Sequence, residues 1–449
     1  MSGDLSSPRR EAAALKCFIN DVAGFAGDRG WPRFHTRGGA QFKEFVAKAA
    51  KATAEALELW ASSDEPDEPL RLAAVRNFWR TLHAWVKPSA DADTHWVPVS
   101  IVGLLENVAR TAEERAAMVV LHAAEFNYFH HRQRTFRVIY QQLRELIPGL
   151  PEFPAQLCFV GIPYSQGRHY LTNLCLFHEL GHYAADREGF TDSIRPEIAR
   201  RLRATFPNAN DQARAWLAGL LERWAEELFC DLCACAAIGP AYLFAFAEAM
   251  SLMGLLDPSQ LTSFGESHPA VGFRLALQRE LLDECGWWGA VKQMEAGGIS
   301  SYCRLANEAS NQPAGYRFEP EPGQSLPVIK DFASLSAEVV KAVKRTAWSD
   351  PQPAIEAFRR GCVEAGDCLA SGIVPSAVFE ADADRWSATL GLVNACAYFQ
   401  VARLDRLTDA MEREGGARLV EHWARCLAKA EEWSLKAAEN LVNLRVGPA

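Results

Sequence analysis

The sequence predicts a mainly α-helical protein with a small β element. Apolar residues recur at three- and four-residue steps over most of the chain, as in Phe42, Phe45, Val46, Ala49, Ala52 and Ala56, which is the period of one helix face. Stretches of strand character are scarce. The best is Gln156–Ile162, bounded by Pro154 and Pro163, where an apolar run is closed at both ends by residues that interrupt regular structure. No repeat or low-complexity tract is present.

Taken in order, the pattern predicts helices from Glu11 to about Gly27 and from Gln41 to Ser62, then a turn-rich acidic linker ending at Pro69 and a helix from Leu70 to Trp85. A second break is expected from Pro88 to Asp93, followed by two long helices, Val99–Phe126 and His130–Leu146, ending at Pro148-Gly149. Leu171 to Asp186 reads as one helix of about four turns closed by Gly189, because it holds no proline and a glycine follows its last periodic residue. Leu232 to Ala247 is uncharged but broken at Gly239-Pro240. It is too short for the roughly 20 residues a membrane span needs, so it reads as two buried core helices. Helix continues from the Ser267-His268-Pro269 segment to about Trp288, and a linker covers Asn311–Gln324. From Ala333 roughly four or five further helices are expected, the last from about Glu421 to Leu444. The expected division is an N-terminal helical lobe over residues 1–150, a core over 151–310 and a C-terminal helical lobe over 325–449, since 449 residues exceed one ordinary hydrophobic core.

Composition limits the function classes. An apolar fraction of 49% with 23% charged residues is that of a water-soluble globular chain. The net charge of −9 leaves no basic footprint for nucleic acid. The N-terminus lacks the unbroken apolar run of a signal peptide, and twelve scattered cysteines that show no disulfide framework suit reduced thiols, so a cytoplasmic protein without a membrane span is expected. Cys230-x-x-Cys233 has no second pair at zinc-finger spacing and reads as buried apolar cysteine.

The chemistry is concentrated at His178-Glu179-Leu180-Gly181-His182. Residues four apart share a helix face, so His178 and His182 can hold one Zn²⁺, while Glu179, about 100° round the helix, is placed to act as general base toward a metal-bound water. Gly181 costs a helix interior about 1 kcal/mol relative to Ala, which points to a close neighbour at that position. A catalytic zinc requires a third protein ligand and an open position. The extended metzincin pattern fails, because Ala185 and Glu188 stand where it requires Gly and His. Trp224–Asp231 reads as a second helix carrying Glu227 and Asp231 four residues apart. Glu227 would complete a His₂Glu site, Asp231 would accept the outer ring N–H of a ligand histidine, and Glu226 would point elsewhere.

His178, Glu179 and His182 followed by Glu227 and Asp231 resemble the gluzincin metallopeptidases, whose signature is H-E-x-x-H with E-x-x-x-D on a later helix. Ser267-His268-Pro269 through Arg274 is similar to the H-P-x-x-x-x-R segment of the CAAX-prenyl and heat-shock endopeptidase branch. The resemblance covers residues 160–280 and departs from thermolysin-like members at Glu226, where they carry Asn. It implies a zincin-like core that cleaves a protein or peptide substrate. In that reading His268 or Tyr302 stabilises the oxyanion, Arg274 serves as an ion-pair partner, and the strand near 156–162 aligns the substrate. The helical lobes on either side suggest a regulatory partner or selective substrate. The alternative reading is a helical interaction protein with a structural or vestigial zinc site, Cys230 or Cys233 filling the fourth position.

Overall fold

The computed structural model describes residues 8–25, 36–61, 68–92, 99–112, 116–123, 128–130, 133–154, 156–163, 169–294, 301–311, 316–318, 328–345, 352–370 and 385–414. The fold is mainly α-helical, with one small sheet among the described residues. The chain divides into two compact units, the first made of Met1–Pro98 and Glu113–Gly167, the second of Val99–Ala112 and Arg168–Ala449.

In the first unit the helices are α1 (Pro8–Phe25), α2 (Arg37–Ala61), α3 (Glu68–Asp91) and α5 (Gln133–Leu146), around strands β1 (Ala117–Ala123), β2 (Phe129–His130) and β3 (Leu157–Pro163). Val99–Ala112 is α4, which belongs to the second unit. β3 lies in the middle of the sheet, parallel to β1 with Val119 opposite Phe159, and antiparallel to β2 with His130 opposite Val160. All seven residues of β3 are buried, which explains why the strand reads as a continuous apolar run rather than an alternation. Phe42, Trp79, Trp85, Phe136 and Phe159 meet in the core of this unit. Trp85 and Phe159 stand 4.8 Å apart between ring centroids.

Three expectations are corrected here. The helix expected over Val99–Phe126 ends at Ala112, and Ala117–Ala123 is a strand; its Met-Val-Val-Leu run pairs with β3, and that long-range partner overrides a helical period. The helix expected from His130 begins at Gln133, and His130 itself is in β2. Pro88 lies inside α3, which runs on to Asp91. Having no N–H, it costs the helix the bond to the carbonyl four residues back, and α3 ends within a turn of it.

The second unit contains, besides α4, the helices α6 (Tyr170–Asn173), α7 (Leu176–Glu188), α8 (Phe190–Thr205), α9 (Asp211–Ile238), α10 (Pro240–Leu252), α11 (Pro258–Leu261), α12 (Val271–Glu284), α13 (Trp287–Met294), α14 (Ser301–Ser310), α15 (Val328–Arg345), α16 (Gln352–Ala370) and α17 (Arg385–Glu414). The expected helix over 421–444 lies outside the described residues. The 28-residue α9 is the axle, packed against α7, α8, α12 and α15. From Leu217 onward it is buried on almost every side, the pattern of a helix enclosed by others rather than one with a solvent face. Asn210 caps its start, its side-chain oxygen accepting from Ala213 N at 2.8 Å. Gly239, at φ 66° and ψ −150°, ends it, and Pro240 opens α10. The expected break at Gly-Pro is thus a turn between two buried helices. Among the described residues no helix is long and apolar enough to cross a membrane.

Candidate metal centre

The pair of histidines rides on α7. The single helix expected over Leu171–Asp186 is instead α6 and α7 joined at Leu174-Cys175, where Phe177 N bonds to Leu174 O and His178 N to Cys175 O. These three-residue steps tighten the chain just before His178. At its other end α7 stops at Gly189 with φ 62°, as the glycine suggested. His178 and His182 lie one turn apart, their ring centroids 5.0 Å from each other.

The helix that faces them is α9, and Gly181 is the point of closest approach. A Cβ on residue 181 would lie 2.5 Å from Cys230 Cα and 2.8 Å from Cys230 Cβ. The two helices can therefore touch only because position 181 carries no side chain, which brings Glu226, Glu227, Cys230 and Asp231 up to the histidines. Gly181→Ala would favour an unconstrained helix by about 1 kcal/mol. Here the expected sign is opposite, a loss of about 1–3 kcal/mol from overpacking, read as a lowered thermal midpoint; a raised midpoint would contradict the close crossing.

Each imidazole is held from behind by a carboxylate. His178 Nδ1 is 2.9 Å from Asp231 Oδ1, the partnership expected from the spacing. His182 Nδ1 is 2.8 Å from Glu226 Oε1. Glu226, expected to point elsewhere, is thereby corrected: consecutive residues of α9 are about 100° apart, and the interface is wide enough for both to face α7. With Nδ1 of each ring donating to a carboxylate, the lone pairs of the Nε2 atoms are directed away from these partners.

Glu227 occupies that other side. Its Oε2 is 3.2 Å from His178 Nε2 and its Oε1 3.6 Å from His182 Nε2. Ligands about 2.0–2.1 Å from a tetrahedral zinc stand about 3.3 Å apart, so these separations fit a shared cation. Glu227 Oε2 is also sealed from solvent without a hydrogen bond; an Arg274 terminal nitrogen lies 3.7 Å from it, and a cation or proton between it and the imidazoles would satisfy it. A proton competes for the same place. Burial opposes charge on His178, but hydrogen bonds and charges from Asp231 and Glu227 outweigh it and raise its pKa to about 10. Burial likewise opposes charge on Glu227, and His178 and Arg274 override it to hold the carboxyl at about 2. Arg223, four residues before Glu227 on α9, donates from Nε to Glu266 O at 3.2 Å.

Asp231 is fully buried and carries more than the histidine. Arg274 on α12 donates to it twice, Nε to Oδ2 at 2.6 Å and a terminal nitrogen to Oδ1 at 2.9 Å, and Tyr242 on α10 donates its hydroxyl at 2.6 Å. Burial would raise the pKa of this carboxyl, but the charge and hydrogen bonds of Arg274 and His178 hold it well below the usual carboxylate range. Arg274 is thus the ion-pair partner the sequence suggested, with its guanidinium 4.6 Å over the Phe246 ring.

Glu179 is buried, and burial pushes its pKa up; His178 and His182 draw it down. His268 is the most exposed member, its side chain 55% accessible, with Nε2 3.4 Å from Glu227 Oε2. Its loop is pinned to α9 by Trp224 Nε1 donating to Gly265 O at 2.8 Å, and Ser267 Oγ lies 2.8 Å from its Nδ1. Tyr302, buried on α14, donates a hydrogen bond from its hydroxyl to Glu248 on α10. His178, His182 and Cys230 also place ligand atoms within 4.8 Å of one another, a group able to hold a metal ion.

Residue-type reasoning missed Glu226 and Tyr242 as members of this cluster. For Glu226 the signal was present, since it adjoins a ligand candidate. For Tyr242 there was none, because only the turn at Gly239-Pro240 brings it back to Asp231. Comparison with protein-family models, with curated proteins and with solved structures finds no match.

Proposed function

We propose that this chain is a zinc-dependent peptidase of gluzincin type, with His178, His182 and Glu227 as the ligands. The observation that supports it most is the placement of both Glu227 oxygens on the Nε2 side of two imidazoles whose Nδ1 atoms are already bonded to carboxylates. When bound, zinc supplies Lewis acidity, polarising a peptide carbonyl and lowering the pKa of water. Glu179 takes the proton from the attacking water and passes it to the leaving amine, and burial raises its pKa, the direction that suits a group which must both accept and release a proton. His268, at the solvent edge of the cluster, donates a hydrogen bond to the carbonyl oxygen as charge develops there. Asp231 and Arg274 keep the His178 ring fixed throughout. The substrate class is a protein or peptide.

Cys230 supports a second reading, a closed structural metal site in a non-catalytic helical protein. We favour Glu227 as third ligand because each of its oxygens lies within 3.6 Å of a histidine Nε2 and its Oε2 is buried without a hydrogen bond, whereas Cys230 is fully buried with its Cα and Cβ packed against Gly181. Purified protein should carry about one zinc per chain, and Glu227→Ala should lose it. Unchanged zinc in that variant would remove Glu227 from the ligand set. Peptide cleavage that a chelator abolishes separates the two readings, and zinc-loaded protein without cleavage of any peptide in a broad library would favour the structural one.

A further inference from the structure

We infer that Arg223 is a specificity-determining residue that takes a carboxylate of the substrate at the rim of the metal centre, so that peptides with an acid group at a set distance from the cut bond are preferred; this rests on the reading of the site just given. Gly219, Arg223 and Glu227 follow one another at four-residue steps on α9 and share one face of the helix. The Arg223 guanidinium is exposed and yet held. Its Nε donates to Glu266 O at 3.2 Å, and a Cβ on Gly219 would stand 3.5 Å from its Nη1. The turn it grips is the one that presents His268. Gly265 N donates to His268 O at 2.9 Å, Trp224, beside Arg223 on α9, donates to Gly265 O at 2.8 Å, and His268 Nε2 lies 3.4 Å from Glu227. The other arginine of α9, Arg214, pairs with Asp211, and Glu222, the carboxylate adjoining Arg223, is engaged by Arg195 at 2.8 Å. Arg223 itself enters no ion pair among the described residues. With Nε spent on a carbonyl, its two terminal nitrogens still offer the parallel N–H fork that matches a carboxylate. Gly219, over which the fork lies, stands roughly two turns or 12 Å before Glu227 along the helix axis, a distance an extended peptide covers in about three or four residues. The carboxylate therefore belongs to a side chain that far from the bond cut, or to a chain end at that place.

The test is cleavage by the zinc-loaded full chain of synthetic peptides that share one scissile bond, found by screening wild type against a library, and that carry Glu, Gln or Lys at the third and fourth residues on either side of it. A further pair of peptides ends at that position, one with a free C-terminal carboxylate and one amidated. For wild type, kcat/KM should be about 3–10-fold higher with Glu than with Gln on one side of the bond, mostly through KM, and lower with Lys. In Arg223→Ala the ratio of Glu to Gln should fall to about one, and in Arg223→Glu it should reverse in favour of Lys. A preference that follows the free C-terminal carboxylate and vanishes on amidation assigns the site to chain ends, one that follows internal Glu assigns it to side chains, and either supports the inference. A wild-type ratio of one, or a ratio that survives in Arg223→Ala while all cleavage falls, would overturn it and leave Arg223 as a fastener of the His268 turn. Wild-type protein that cuts no peptide at all would instead remove the peptidase reading, and the inference with it.

Discussion

Glu179→Gln is expected to keep its zinc and to lose peptide cleavage by about 10²–10⁴-fold. The substitution preserves the size and polarity of a buried side chain but removes the group that accepts a proton from water and returns it to the leaving amine. Metal content should be unaffected, because the histidines and Glu227 approach one another without help from Glu179. The measurement is kcat on a cleaved peptide alongside zinc per chain. A zinc-loaded variant that cleaves at the wild-type rate would take Glu179 out of the chemistry, whereas loss of both zinc and activity would show it to be structural.

The second large effect belongs to Asp231. Replacing it by Asn leaves Arg274, whose side chain is only 7% exposed, with Glu227 at 3.7 Å as its remaining counter-charge. Breaking such a pair by removing one partner costs about 3–5 kcal/mol. The same change withdraws the carboxylate from His178, which should weaken zinc binding about 10–100-fold. Tyr242→Phe removes one hydrogen bond to the same carboxylate and should cost only about 1 kcal/mol. Urea unfolding of the chelated proteins and zinc competition measure the two effects separately. Equal stability of Asp231→Asn and wild type would mean that the Asp231–Arg274 pair contributes nothing to the fold.

The helices of the first unit were legible because each buries one stripe, and that stripe writes its period into the sequence. The strand β3 was legible from its apolar run between prolines, but β1 was not. Its residues 117–123 continue an apolar pattern from α4, and only the pairing with β3 distinguishes strand from helix there. At the centre, His178, His182, Glu227 and Asp231 stand at spacings that one helix face imposes, so their convergence could be anticipated from two short segments. Glu226 could not be assigned in the same way. Whether a residue 100° round from Glu227 faces the histidines depends on how closely the two helices cross, and that is set by Gly181 against Cys230. Gly181 advertised a close neighbour without identifying it.

The turn at Gly239 governs more than the end of a helix. Its backbone, at φ 66° and ψ −150°, lies in a region that only glycine visits without strain. A Cβ there would stand 2.8 Å from the Trp287 ring. Three residues later Tyr242 reaches back to Asp231, eleven positions upstream. The rigidity of one histidine is therefore underwritten at a bend that contains no acid, base or ligand. A side chain introduced at that bend would loosen first the Tyr242–Asp231–His178 contacts, at a distance from the alteration itself.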